Sequence, residues 1–584
     1  MIGFTLPPSR PRRRPQELSI AADEKAAWSV LLPIGFQHAA MALGLSAYVL
    51  ALAKASNFDF EQTRNLLAVT IMTMAFGTAL QAWGGKLGSG ALIVHIPTAI
   101  LIPQIAPIFI ETGPGGVGVV TILCAIVSLI LAPLTPRLRG LFPPIVAGLI
   151  VLIGGMSLVE GAFAHSTGLS EDMTLDPNSM IIAGITLGLI VATSVWGNRS
   201  LQLFSLLIGI GGGVIAAFFL GELSGGQALM SAPIVDLPSI ATPVFNIPIS
   251  ALIAAAFVAA LVEIDSIGSF ILMDKMDDAD WRRPDMKQAG RGILAGGIGD
   301  ALGGLLGGMS TATSSANIGL CHASRTTTRY AGLVAAAMLL FIAFLPQATM
   351  ALTLIPTPVI GAIEMYAAAF LIAAGIDLIA ERKFDTRGMF IVGISMAGGV
   401  AIMLLPGLAE RIPPSLRHLL GSGFIVTGVL AIVLNLLFRI GIKKTQLQQI
   451  EPNGHPIAIQ VTDFIERMGG AWAARRDVVQ RAAQASVEAI EAIQSTGVHK
   501  VTSVVGHFDE LNFNIELRHT GSPLPLGPGA MPDLASILDA DNDEGIDAAI
   551  ASVSQVLIHR LADGLKCGAL PSGGGAFLRL HFDH

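Results

Sequence analysis

The chain has 584 residues, of which 52% are hydrophobic and only 13% charged, with a mean hydropathy of +0.68. It is too apolar and too poor in charge for a soluble enzyme and reads as a polytopic membrane protein. Its formal charge of −7 is uneven: the first 446 residues carry 26 Lys and Arg against 25 Asp and Glu, and the remainder 9 against 17, which argues against nucleic-acid binding.

Residues 1–27 form a polar N-terminal segment containing "RPRRRPQ" and no cleavable-signal pattern, so the first apolar run reads as a retained helix. A bilayer-crossing helix takes roughly 20 apolar residues. On that measure spans fall at 28–53, 64–84, 91–110, 116–133, 144–163, 179–197, 202–220, 248–273, 288–306, 310–329, 331–350, 357–379, 387–407 and 419–440, fourteen in all. A cytoplasmic N-terminus puts Arg12, Arg13, Arg14, Lys86, Arg137, Lys275, Lys287, Lys443 and Lys444 on the cation-rich side. Both termini are then cytoplasmic, in a bacterial inner membrane. Three dispersed cysteines (Cys124, Cys321, Cys567) provide neither a disulfide framework nor a metal site.

Fourteen spans divide into seven plus seven. Two of them are interrupted by glycine and small polar residues in corresponding places: "GGKLGSGALIVHIPTAILIP" (84–103) and "GGMSTATSSANIGLCHASR" (307–325). Such paired breaks point to a substrate site in an inverted-repeat transporter; close helix packing is the alternative.

Ionisable residues at membrane depth are costly and usually functional. Glu263 and Asp265, in "FVAALVEIDSIGSFIL", lie about 200° apart on a helix, so only one can face a given cavity. Glu364, in "PVIGAIEMYAAAF", offers a second coupling group or an interhelical hydrogen bond. His38 and His95 lie in the first and third spans, and either could be structural or ligand-facing.

These residues resemble those of the nucleobase–cation symporter-2 family, the nucleobase–ascorbate transporters. "GFQHAAMAL" is similar to the family's Gln-His motif, with Gln37 and His38 in place. "DSIGSF" is similar to its carboxylate–x–x–Gly motif, aligning Asp265 with the substrate-binding Glu and Gly268 with the Gly. The tenth-span signature reads "ANIGLCHASR": Asn317, Gly319, Ser324 and Arg325 match, whereas Ala316 stands where relatives carry a substrate-reading amide or carboxylate.

The resemblance implies an α-helical membrane protein of fourteen spans in two inverted repeats, arranged as core and gate domains, with short strands in spans three and ten. It implies secondary transport of a nucleobase such as xanthine, uric acid or uracil by H⁺ or Na⁺ symport in an elevator-type cycle, with no enzymatic activity and no cofactor. The candidate substrate-binding residues are Asp265, Asn317, Ala316, Ser315, Thr98 and His95, and the candidate coupling residues Asp265, Glu263 and Glu364. A homodimer among membrane lipids is expected. A channel or a transporter-derived sensor on the same fold is the alternative.

After a linker at 442–461, residues 462–584 read as a cytoplasmic α+β domain: an amphipathic helical run, a β-hairpin around Asp509, a helix at about 546–564 and a final strand "AFLRLHFDH". This order resembles the ATPase-like fold of histidine kinases and anti-sigma factors. Ala492 replaces the Mg²⁺-binding Asn and His519 the adenine-contacting Asp, so the resemblance implies a degenerate domain without nucleotide.

Overall fold

The structure, a computed structural model, describes every residue except 1–5, 8–11, 139–142, 170–171, 199–200, 203, 224–232, 282–283, 381–384, 406, 409–410, 440–442, 452–453, 473, 496–497, 510–511, 525–552, 571–573 and 584. The chain forms two compact units, Met1–Asn435 and Leu436–His584.

The first unit is helical. α1 (Trp28–Leu45) runs through Ser46 into α2 (Ala47–Ala55), and α3 spans Phe60–Trp83. A capping box starts α3, with the Asp59 carboxylate accepting from Gln62 N and the Gln62 side chain accepting from Asp59 N. Gly84, at φ 75°, ends it. The third span then breaks: β1 (His95–Pro97) and a 3₁₀ turn (Ala99–Leu101) precede α4 (Ile102–Leu138). Predicted spans 91–110 and 116–133 share α4, which bends at Gly113 (φ 62°) before Pro114 instead of leaving a loop.

α5 (Pro144–Thr167), α6 (Pro177–Trp196), α7 (Ser205–Phe219), α8 (Ile249–Asp277) and α9 (Met286–Leu305) follow. The tenth predicted span contains β2 (Thr311–Thr313) and only the short α10 (Ser315–Ser324). α11 (Arg329–Ala343) and α12 (Pro346–Thr353) form a pair bent by 87°. α13 (Thr357–Ala380), α14 (Thr386–Leu404), α15 (Pro414–Leu420) and α16 (Gly423–Phe438) complete the series. Among the described residues eight helical stretches are long and apolar enough to cross a membrane, or nine counting the bent pair; α7 and α16 are shorter apolar helices.

Small residues set the helix crossings, because backbones approach closely only where side chains are absent. In the α5–α13 contact Gly148 meets Gly375 and Gly155 meets Ala368; in the α4–α9 contact Gly118 meets Gly304 and Gly290 meets Ala132. Two helix groups result. α1, α3, α4, α8, α9 and α11 form one, with α3 against both strands, α1 against β1, and α8 and α9 against β2; α5, α6, α7 and α13 form the other.

The second unit is a five-stranded antiparallel sheet in the order β3 (Lys444–Gln449), β4 (Val501–Phe508), β5 (Asn512–His519), β7 (Ala576–Asp583) and β6 (Gly564–Ala569). β3 (Lys444–Gln449) and the start of α17 (Ile457–Ala471) occupy the stretch read as linker. That stretch is too polar to signal a strand, and pairing with β4 along one edge defines it. α17 and the amphipathic α18 (Arg476–Gln494) bury Phe464, Met468, Val478 and Ile490 in one core with Phe513, Leu578 and Phe582 of the sheet. β4 (Val501–Phe508) and β5 (Asn512–His519) form the hairpin, residues 553–561 are helical, and β6 (Gly564–Ala569) and β7 (Ala576–Asp583) close the order.

Candidate functional site

The two broken spans meet. β1 and β2 pair antiparallel, His95 opposite Thr313, Ile96 opposite Ala312 and Pro97 opposite Thr311. Thr98 N donates to Ser310 O (3.1 Å) and Ser314 N to Val94 O (2.9 Å), extending the ladder at both ends. Side chains alternate along a strand, so His95, Pro97, Thr311 and Thr313 share one buried face. Ile96 and Ala312 occupy the other, which is half-buried.

A chain of hydrogen bonds fixes the buried face. Gln81 Nε2 donates to Gly292 O (2.8 Å) while Gln81 Oε1 accepts from Ser89 N (3.3 Å), which sets the amide's orientation. The 3.1 Å contact from Gln81 Nε2 to His95 Nε2 is therefore a donation to the ring. His95 then carries its hydrogen on Nδ1 and donates it to Thr311 Oγ1 (3.1 Å), whose own hydroxyl donates to Asp300 Oδ1 (2.7 Å). Asp300 also accepts from Ser310 Oγ and from Thr311 N (3.0 Å).

His95 thus points away from the half-buried face and pins β1 between α3 and α9; a Cβ at Gly77 would lie 2.8 Å from its ring. This differs from its expected place beside substrate. Asp300 was missed in the sequence, although a lone carboxylate in the glycine-rich "GGIGDALGG" was a readable signal.

At the start of α10 the N-cap Ser314 Oγ accepts from Asn317 N (3.2 Å) and Asn317 Nδ2 (3.0 Å). With Nδ2 donating there, Asn317 Oδ1 accepts from His38 Nδ1 (2.8 Å), and His38 Nε2 lies 3.9 Å from Cys321 Sγ. Asn317 is fully buried, so the amide expected to meet substrate is engaged by the His of the Gln-His motif; Gln37 beside it is half-buried. Ala316 is half-buried and Gly319 exposed, three residues apart on one side of α10, and a Cβ at Gly319 would meet no atom within 4 Å. Ser315 opens the helix; its side chain lies outside the described residues. Ser324 Oγ donates to Cys321 O (3.3 Å), and exposed Arg325 ends the helix at φ 52°.

α8 passes β2, the 3₁₀ turn and α10. Its two carboxylates diverge. Glu263 Oε1 meets Ser128 Oγ of α4 at 2.5 Å, whereas Asp265 is half-buried with no hydrogen-bond partner among the described residues. Gly268 and Ser269 lie one turn beyond Asp265 on the same side. A Cβ at Gly268 would meet no atom within 4 Å, and Ser269 Oγ is buried without a partner, as is Thr98 Oγ1. A carboxylate and two unengaged hydroxyls suit a small polar solute carrying ring N–H and C=O groups.

Glu364 does not join this group: its Oε2 lies 2.7 Å from His165 Nδ1 and ties α13 to α5. In the tail, Glu488 Oε2 accepts from Ser554 Oγ (2.8 Å), and buried His519 packs edge-on against His499, its Nδ1 donating to Thr520 O.

Paired broken spans with unengaged polar atoms beside them, inside a bundle of apolar helices, define a multi-pass membrane permease, a transporter and not an enzyme. A family model described as "Permease family" matches residues 30–408, and the chain belongs to that family, the nucleobase–cation symporters. The putative purine permease CPE0397 of Clostridium perfringens is 27% identical over 413 residues, 69% of this chain and 89% of its own length. The nucleobase transporter PlUacP of Paenibacillus larvae is 26% identical, over 71% of this chain and 96% of its own, and the xanthine permease XanP of Escherichia coli 25%, over 68% and 89%. Among solved structures, the transmembrane domain of the cyanobacterial bicarbonate transporter BicA aligns with 71% of this chain and 99% of its own at 18% identity and a TM-score of 0.48.

Proposed function

We propose that the chain carries a nucleobase of the xanthine, uric acid or uracil kind across the membrane by cation symport, one helix group moving past the other in an elevator-like exchange. The observation that carries this reading is Asp265, a half-buried carboxylate with no described partner, on the helix that passes the paired strands. Ring N–H groups of a base would donate to it, Ser269 and Thr98 hydroxyls would meet ring carbonyls, and the half-helix start of α10 would add a favourable dipole. Relatives named as purine, nucleobase and xanthine permeases support the substrate class.

Fourteen crossings in two inverted seven-span repeats fit the element order, with the strand-bearing group as core and the α5, α6, α7 and α13 group as gate. Glu263 is the coupling group we favour. The Ser128 hydroxyl is within reach of both Cys124 O (3.0 Å) and Glu263 Oε1, yet it has one hydrogen. If it serves the carbonyl, Glu263 must be protonated and donate to Ser128, and a neutral acid is also the cheaper form at membrane depth. That favours H⁺ over Na⁺.

The tail reads as a degenerate ATPase-like domain with a regulatory or dimer-contact role. Its strand–helix–helix–strand–strand order supports that fold, and Ala492, standing where the Mg²⁺-binding Asn would be, supports a lack of nucleotide.

The test is uptake of labelled xanthine, urate and uracil into proteoliposomes under an imposed pH gradient. Asp265→Asn should abolish uptake of the accepted base while the protein elutes as a folded species. Uptake unchanged by Asp265→Asn would overturn the site assignment.

A further inference from the structure

Residues 12–24 cross the ends of three helices, α8, α10 and α11, and none of the site chemistry uses them. Arg12 Nη1 pairs with Asp277 Oδ2 of α8 at 3.1 Å, with the two side chains only 7% and 1% exposed. Beside this pair Arg13 N donates to Asp278 Oδ1 (3.1 Å) and Ala279 N donates to Arg13 O (2.8 Å). The segment then bridges the end of α10: Ser19 N donates to Arg325 O (2.7 Å) and Thr327 N to Ile20 O (3.0 Å), with Ile20 and Thr326 paired as in a parallel ladder.

Farther on, Arg329 N donates to Ala22 O (3.0 Å), and Thr328 Oγ1 donates to Glu24 O (2.8 Å). The Arg329 guanidinium binds Asp23 (2.6 Å), Trp83 O at the end of α3 (3.2 Å) and Pro7 O (2.7 Å). The chain next enters α1, whose His38 holds Asn317, so α10 is gripped at both ends by one continuous piece of chain.

We propose that residues 12–24 are a strap built into the moving body, one that stays closed throughout transport and keeps α8 and α10 in fixed register, rather than a lid that opens to admit substrate. Every bond the strap makes above ends on α8 or the turn after it, on the turn between α10 and α11, or on Arg329, which also binds Trp83 O of α3 and Pro7 O. Opening the strap would strand Asp277 as a buried carboxylate without its cation and break a backbone bridge, losses that a lid opening once per cycle would incur every time. The helices it ties carry Asp265 on one side and Ala316 with Gly319 on the other. Their spacing is the width of the candidate site.

The proposal rests on the reading that the two helix groups move past one another, so the experiment tests the two separately. In full-length protein with the three native cysteines replaced, and uptake of that background measured first, Ile20→Cys with Thr326→Cys places two thiols at bridged positions. Gly154→Cys with Ile100→Cys joins the groups, since a Cβ at Gly154 would lie 3.3 Å from the Ile100 side chain. Oxidation of the first pair should leave uptake as it is in the reduced protein; oxidation of the second should stop it, with recovery on adding reductant. A strap cross-link that stops uptake reversibly, or an Ile20–Thr326 pair that does not oxidise, overturns the strap. Undiminished uptake through the oxidised Gly154–Ile100 link overturns the exchange of groups and leaves the strap's own result standing.

Discussion

Replacing Asn317 by Ala tests whether this family-signature residue builds the site or touches the solute. In the structure Asn317 is fully buried, its Oδ1 accepting from His38 and its Nδ2 donating to Ser314. The Ala variant leaves His38 Nδ1–H without an acceptor, while Ser314 Oγ keeps its bond from the backbone N–H of residue 317. One buried donor is orphaned, at about 1–3 kcal/mol, and the amide's modest net hydrogen-bond contribution is lost with it. His38→Ala orphans the Asn317 oxygen instead, and the double variant orphans neither. The two substitutions should therefore be strongly non-additive, with a coupling energy of roughly 1–2 kcal/mol. Thermal unfolding of the purified protein in detergent, followed by loss of the folded elution peak, gives the four midpoints. Substrate affinity, measured on the same samples, should weaken far less than for Asp265→Asn. Additive midpoint shifts would refute the pairing, and an Asn317→Ala protein of native stability that no longer binds would return the amide to the substrate.

The remaining expectations test neighbouring pieces. Gly77→Ala drives a methyl to 2.8 Å from the His95 ring and should disrupt the Gln81–His95–Thr311–Asp300 chain, lowering the unfolding midpoint and uptake together, whereas Gly319→Ala, with no atom within 4 Å of the new methyl, should leave the midpoint unchanged. Glu263→Gln keeps a neutral hydrogen-bonding group opposite Ser128, so base exchange across the membrane should persist while accumulation driven by a pH gradient is lost; unimpaired accumulation would count against Glu263. Ala316→Gln adds an amide on the open side of α10 and should change the order of preference among xanthine, urate and uracil, read as KM, with little change in stability. In the tail, burial alone would raise the Glu516 carboxyl, but hydrogen bonds from Arg579 and Arg518 outweigh it and hold it below the usual carboxylate range. A depressed value means stability that is full above the ordinary Glu range and lost as pH falls through the folded value. Protection factors of β5 and β7 amides in the full chain, taken against the intrinsic exchange rate at each pH, should fall on acidification, and Glu516→Gln should flatten that dependence.

Much of this architecture was legible in the sequence because membrane helices announce themselves by length and apolarity, and because glycine-rich breaks in two matching places are hard to explain otherwise. The family signature led to α10, and the 200° separation of Glu263 and Asp265 correctly required two different environments. What composition could not show was direction. His95 and Thr98 lie three residues apart in one broken span, yet the strand's alternation turns His95 inward while the Thr98 hydroxyl stays unengaged. Glu364 looked as functional as Glu263 because nothing in either helix names the histidine that meets Glu364 from α5. β3 was read as linker because an edge strand exposed on both faces has no apolar alternation to read.

The polar groups of the membrane unit divide their work in a way that bears on specificity. Asp300, His95, Gln81, Asn317 and His38 are buried, hydrogen-bonded, and hold the strand pair and the start of α10 to neighbouring helices. They stiffen backbone that would otherwise be costly at membrane depth, since strand ends lack the internal satisfaction of a helix. Of the groups left unengaged among the described residues, Asp265, Ser269 and Thr98 lie on α8 and at the 3₁₀ turn that it passes, whereas Thr313 Oγ1 lies on the buried face of β2. On the proposed reading, with Ala316 adding no side-chain hydrogen bond, one carboxylate and two hydroxyls would recognise the solute with help from backbone at the strand ends. Such a set reads a pattern that many bases share, N–H beside C=O, and has little with which to reject a near relative. If Asp265 holds the base as proposed, discrimination between purine and pyrimidine would come from the space beside Gly268, Ala316 and Gly319 more than from hydrogen bonds, since no atom lies within 4 Å of a Cβ built at either glycine.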